Sequence, residues 1–285
     1  MKSSLSTRAY SHKKIPPTFC VNCFKNNKKI KAIIYCSNCK AHLCDECSKS
    51  ESHKEHSKIP ISRAKRYFDI AQFMETKKNY KLALQYYHWA TIIQPTHIYA
   101  FTNLSIVHFY LQEYDSAFYS CYQALLIDPK TVFAYHNLGV FNDQLGRHEN
   151  AVEIFKYALK LDPKNEEIHY NMGNSLFQLE RVDKAIESLN QAIRLQPNHF
   201  QALISLATAY EKKNQIQRSI EILEKASKIN PDHPLGHLNM GIMCYNHGFL
   251  AQAKKSLERV VSIGTFRTKL AKEILQQIQQ RSQNK

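Results

Sequence analysis

The chain has 285 residues, 44% of them apolar, with a formal net charge of +15. No stretch of about 18 apolar residues occurs, which excludes a membrane-spanning helix. Only 7 glycines and 9 prolines punctuate the sequence, too few for the many turns of an all-β fold.

The segment 1–17 is basic and polar, without an apolar signal region, and is expected to form a disordered tail. Charge is concentrated at this end. The segment 1–63 carries 13 Lys and Arg against 4 Asp and Glu. Such a balance attracts polyanions and also keeps a surface soluble.

Six of the eight cysteines lie between Cys20 and Cys47, followed by His53 and His56. They form four pairs: Cys20 with Cys23, Cys36 with Cys39, Cys44 with Cys47, and His53 with His56. A Cys-x2-Cys turn presents two sulfurs about 4 Å apart, the edge of a tetrahedron around zinc. Four pairs supply eight ligands, hence two structural Zn2+ ions. Each would be closed to a catalytic water, so the metals would stabilise folding. Clustered cysteines in a chain without a secretory signal point to a reducing, intracellular and cytoplasmic setting. Binding six thiolates to two zinc ions lowers the charge by only two, and the module stays basic. Spacing alone leaves the grouping of ligands open. The run around LCDECSKSESHKEH resembles a B-box zinc finger. That resemblance implies two interleaved sites, one of Cys20, Cys23, Cys44 and Cys47 and one of Cys36, Cys39, His53 and His56. The module is placed at 18–60 and offers a second protein contact or a surface for homo-oligomerisation.

From residue 64 an internal period takes over. Prolines stand at 95, 129, 163, 197 and 231, at a constant spacing of 34. Ala90, Ala124, Ala158, Ala192 and Ala226 precede them by five. Two further series of small residues keep the same period. One is Ala83, Ala117, Ala151, Ala185, Ser219 and Ala253. The other is Ala71, Ser105, Gly139, Gly173, Ala207 and Gly241. Two antiparallel helices approach closely only where side chains are small. Each proline ends the helix before it. Thr131 and Asn165 offer N-cap oxygens for the next helix. Gly146, Asn214 and Gly248 suit a left-handed turn between the two helices of a unit. Cys121 and Cys244 fall at apolar positions and are predicted to be core.

The pattern resembles the tetratricopeptide repeat. The predicted fold is mostly α: a right-handed solenoid of six helix pairs over 64–267, preceded by the two-zinc module. The sixth pair departs from the pattern, with Val260 for the late alanine and Thr265 for the proline. Residues 268–285 read as one amphipathic capping helix, with Leu270, Ile274 and Ile278 on one face.

The resemblance implies that the first helix of each pair lines a concave groove. One position there recurs as asparagine, at Asn103, Asn137, Asn171 and Asn239, with Ser205 in the fifth pair. An amide both donates and accepts, so a ladder of amides can satisfy the backbone of an extended peptide. Groove asparagines in the repeats of O-linked glycosyltransferases, which these resemble, play that part. Neighbouring groove candidates are Tyr99, Phe133, His136, Tyr170, Asn174 and Phe177. If these aromatics are exposed, the ligand carries apolar side chains.

No nucleophile elbow, phosphate loop or paired-carboxylate constellation stands out. The reading is therefore a non-enzymatic adaptor for protein or peptide partners. An alternative, from the B-box resemblance, is the substrate-binding subunit of a ubiquitin-ligase assembly. Nucleic-acid binding through Lys25, Lys28, Lys29 and Lys31 is disfavoured, because aromatic interleaving is thin there.

Overall fold

The computed structural model describes residues 34–36, 41–43, 49, 58–60, 62–264 and 267–283. Two compact units are present, Met1–Asn137 and Leu138–Lys285.

Among the described residues, the first unit opens with three short strands: β1 (Ile34–Cys36), β2 (Ala41–Leu43) and β3 (Lys58–Pro60). They form an antiparallel sheet in the order β2-β1-β3. Cys36 pairs with Ala41 on one side and Lys58 on the other, while Ile34 pairs with Leu43 and Pro60. β3 lies beside helix α1. The tail and seven of the eight predicted zinc ligands (Cys20, Cys23, Cys39, Cys44, Cys47, His53 and His56) lie outside the described residues.

Helices follow in pairs: α1 (Arg63–Thr76) with α2 (Tyr80–Ile93), and α3 (Ile98–Tyr110) with α4 (Tyr114–Ile127). α5 (Val132–Gln144) starts in the first unit and ends in the second. The second unit continues with α6 (His148–Leu161), α7 (Glu166–Gln178), α8 (Val182–Leu195) and α9 (Phe200–Lys212). It ends with α10 (Ile216–Ile229), α11 (Pro234–Asn246), α12 (Leu250–Ile263) and α13 (Thr268–Gln283).

The small-residue series do what close packing demands. Ala71, Ala83, Ala90, Ser105, Ala117 and Ala124 of the first unit are fully buried. In the second unit a Cβ on Gly139 would stand 2.3 Å from the ring of Phe155. On Gly173 it would meet Leu189 at 2.8 Å, and on Gly241 Leu257 at 2.7 Å. Each glycine therefore marks a place where the second helix of a pair lies against the backbone of the first. Cys121 and Cys244 are fully buried, as apolar positions require.

The links within pairs are left-handed at Gly146, Asn214 and Gly248, with φ of 73°, 57° and 82°. Lys78, Gln112 and Glu180 adopt the same conformation, with φ of 56°, 62° and 57°. A side chain raises the energy of that conformation by about 1–2 kcal/mol.

Helix entry shows a device that the sequence reading missed. The Nδ1 atoms of His97, His199 and His233 accept from the backbone N–H of Ala100, Ala202 and Leu235, at 3.2, 3.3 and 3.3 Å. Asn165 caps α7 through Ile168 N at 3.2 Å, as predicted. Thr131 differs: its hydroxyl donates to the Asp128 carbonyl at 2.8 Å.

The last helix also departs in detail. Its buried face is Ala271, Ile274 and Ile278, and Leu270 is exposed. Leu270 lies one residue ahead of Ala271, which rotates it off the packed stripe. The helix is tied to α11 by Tyr245, whose hydroxyl donates to Gln277 at 2.9 Å and whose ring lies 4.5 Å from the Arg281 guanidinium.

Candidate functional site

The first helices of the pairs carry the predicted binding positions. In the first unit, Tyr99 opens α3 and Phe133 opens α5. Both are 59% exposed. Their rings meet edge-on, with centroids 6.3 Å apart and planes at 60°. One turn beyond Tyr99, Asn103 Nδ2 donates to the Tyr87 hydroxyl at 3.1 Å, and that hydroxyl donates to Glu75 Oε2 at 2.8 Å. Burial, reinforced by the bond to Glu75, pushes the Tyr87 phenol well above its ordinary pKa. It therefore stays a neutral donor, and Asn103 is held with Oδ1 as its remaining acceptor.

Asn137 is placed differently. It is 7% exposed, and its Nδ2 donates to the Thr102 carbonyl at 3.1 Å and to Ser105 Oγ at 3.2 Å. Both amide hydrogens are thus spent joining α5 to α3. His136 is half-buried.

Tyr110 was not predicted and belongs to the same face. It is 61% exposed and stacks on Tyr80 at 4.9 Å. Positions 99, 103, 106 and 110 repeat at the 4, 3, 4 spacing of one helical stripe, a signal present in the sequence. The face of the first unit therefore presents two exposed tyrosines, a phenylalanine, a half-buried Ile106 and the Asn103 amide.

In the second unit, Asn171 and Asn174 are half-buried. Tyr170 packs into the cluster around Leu189 and Leu206, with its ring 4.9 Å from that of His199. Phe177 joins the same cluster. These two rings serve the core. Asn239 lines a small cleft of about 180 Å³ with Thr208, Glu211 and Asn246. Leu223, Ile242 and Met243 also belong to its mixed lining, which holds no aromatic ring.

Packing in the second unit is sewn by polar contacts from one helix pair to the next. Ser175 Oγ donates to Asp143 Oδ1 at 2.6 Å, and Arg181 grips Glu149 with two bonds of 2.6 and 3.0 Å. Lys212 pairs with Glu180 at 3.1 Å, Lys213 with Asp183, and His247 with Glu211 at 3.2 Å. Exposed pairs of this kind add only about 0–1 kcal/mol each, but they fix register.

Comparison with known proteins accords with this geometry. The tetratricopeptide repeat family profile matches residues 144–210 and 176–238. Residues 144–238 are tetratricopeptide repeats. The helix pairs on either side keep the same spacing, so the pairs are numbered as repeats one to six. Among solved structures, the chain is similar to PilW, a type IV pilus biogenesis factor, with a TM-score of 0.66 and 20% identity over 75% of this chain and 97% of that one. It is similar to pilF of Pseudomonas aeruginosa, with a TM-score of 0.63 and 17% identity over 77% and 98%. It is also similar to YrrB, described as a TPR protein with an unusual peptide-binding site, with a TM-score of 0.52 and 19% identity over 66% and 96%. At these identities the likeness concerns the repeat fold. No curated protein sequence matches the chain. No helix among the described residues is long and apolar enough to cross a membrane.

Proposed function

We propose that this protein is a non-enzymatic adaptor. It holds an extended peptide across the first-helix face of repeats two and three, while a two-zinc module at its N-terminal end makes a second contact. The observation that carries the peptide reading is the exposed Tyr99–Phe133 pair beside the Asn103 amide. Large aromatics left 59% exposed on two adjacent first helices gain by covering. Asn103 Oδ1 then accepts from a peptide N–H between them. The ligand carries apolar side chains at alternate positions, and its backbone rather than its charge is held. A peptide-binding site is described for YrrB, whose repeat fold is similar, and that is in keeping with the reading.

The test is a library of peptides from disordered protein segments, displayed against the whole chain and against Tyr99→Ser/Phe133→Ser. The proposal expects enrichment of apolar, extended peptides by the wild type only. Equal enrichment by both proteins would remove this face from consideration.

The zinc reading rests on the spacing of the four ligand pairs and on the B-box resemblance. That resemblance groups Cys36, Cys39, His53 and His56 at one ion and Cys20, Cys23, Cys44 and Cys47 at the other. Zinc bound there supplies folding energy, and the thiolates stay closed to solvent chemistry. Elemental analysis of the purified chain should give two zinc per molecule, and about one for Cys36→Ser, where one of the two four-ligand sites is broken. A metal-free, folded wild type would refute the assignment. A ubiquitin-ligase role rests on the B-box resemblance alone.

A further inference from the structure

Repeat one has no repeat before it among the described residues, and its outer face differs from every later copy. Three positions define that face, and the first two are exposed where all their copies are buried. Counting by 34, Phe73 corresponds to Val107, Phe141, Ser175, Ala209 and Met243, all at most 3% exposed. Arg66 corresponds to Ala100, Ala134, Ile168 and Ala202, all fully buried, and to Gly236. Lys77 corresponds to Leu111, Leu145, Leu179, Lys213 and His247.

In the second unit the copies of these positions touch the preceding repeat directly. Ser175 bonds to Asp143 of α5. A Cβ on Gly236 would meet Ser227 at 3.3 Å and Phe200 at 3.5 Å. Lys213 pairs with Asp183 of α8. The face built by 66, 73 and 77 is thus the surface on which a repeat seats its predecessor.

On α1 this surface is bare of a predecessor. Phe73 is 56% exposed, and Lys77 Nζ sits 5.5 Å from its ring centroid. Lys65, Arg66, Lys77, Lys78 and Lys81 are all exposed, and none forms an ion pair with a described residue. The acids of α1 itself are Asp69 and Glu75, and Glu75 already accepts from Tyr87. A terminal face needing only solubility would be polar throughout. Retaining Phe73 among cations fits a surface that is covered by an amphipathic partner of opposite charge. β3 ends three residues before α1 begins, whereas Phe73 and Lys77 lie about 15 Å or more along the helix.

We propose that the Arg66–Phe73–Lys77 face of α1 docks an acidic amphipathic helix of a partner protein, seated as a preceding repeat would be. The partner supplies a carboxylate to Lys77, as Asp183 does to Lys213. It supplies apolar side chains to Phe73. This surface is distinct from Tyr99 and Phe133, so the chain can hold two partners at once.

The probe is a fluorescent, hydrocarbon-stapled amphipathic helix with Leu on one face and Glu on the other. Its length is about 20 residues, enough to span roughly 30 Å. Anisotropy is recorded with the full chain in its zinc-loaded state. Saturable binding is expected, weakened at least tenfold by Phe73→Ser and at least tenfold by Arg66→Glu/Lys77→Glu. The Lys-for-Glu probe should bind the charge-reversed variant instead. Circular dichroism checks that each variant keeps its helices, which exposed positions should allow. No binding, or binding indifferent to both variants, overturns the proposal. So does tighter, Phe73-dependent binding of a single-stranded oligonucleotide, which would make the face a nucleic-acid site. If the probe fails and amide exchange in 63–77 is slow but accelerates in Phe73→Ser, the chain covers this face itself, and the proposal also falls.

Discussion

Replacing Gly139 by alanine sets two terms of opposite sign against each other. Alanine favours a helix interior over glycine by about 1 kcal/mol. Against this, the new methyl would sit 2.3 Å from Phe155 Cε1 and 2.7 Å from Cδ1 and Cζ. Carbon contacts are ordinarily about 3.5–4.0 Å, so ring or backbone must retreat by roughly 1 Å or more. Phe155 is fully buried, and a planar ring cannot fold aside as a lysine would. Overpacking of this kind costs about 1–3 kcal/mol. The steric term wins, and net destabilisation of about 0–2 kcal/mol is expected. Urea unfolding followed by circular dichroism measures it. The decisive comparison is made in a Phe155→Leu background, where the smaller side chain vacates the space. There Gly139→Ala should stabilise, because only the propensity term remains. A wild-type background stabilised by about 1 kcal/mol, the full propensity gain, would refute the close-packing argument for the whole glycine series.

Two other expectations concern local structure. His97 caps α3 only as a neutral imidazole, and burial chiefly holds its pKa below the ordinary 6.5, with Asp69 opposing. The unfolded chain therefore binds the extra proton first, so the cap's contribution is complete above pH 6.5 and fades as pH falls toward the depressed value. His97→Asn should flatten the stability profile between about pH 5 and 7, and an unchanged slope would rule the cap out as its source. Gln112 is exposed with φ of 62°. Gln112→Gly should raise the urea midpoint by an amount worth about 0.5–1 kcal/mol, and a lowered midpoint would show that the side chain does more than occupy the turn.

The helix pairs were legible in the sequence because their cause is local and periodic. Small residues at 71, 83 and 90, repeated every 34, can only be explained by close helix contacts, and they are buried. The left-handed turns at Gly146, Asn214 and Gly248 were legible for the same reason. Those at Lys78, Gln112 and Glu180 were not, since ordinary side chains carry no mark of positive φ. Histidine caps escaped notice because an imidazole nitrogen is a rarer acceptor there than the oxygen of Asn or Ser. The candidate site was less legible still. Asparagines in equal register look equivalent, yet Asn137 spends its hydrogens on Thr102 and Ser105, while Asn103 keeps a carbonyl free beside an exposed ring. That difference depends on partners far away along the chain, Tyr87 for Asn103 and Thr102 for Asn137. Tyr170 stands at the register of Thr102 and His136, not of Tyr99, and packs into the core while Tyr99 stays exposed.

The most direct measurement of the adaptor reading is the affinity of a library-selected peptide for the intact chain, measured by titration calorimetry beside Tyr99→Ser, Phe133→Ser and Asn103→Ala. Each loss should weaken binding at least threefold, the two aromatic changes with a smaller heat-capacity change, while thermal stability stays within a few degrees of wild type. A peptide that binds all four proteins with equal affinity would contradict the account.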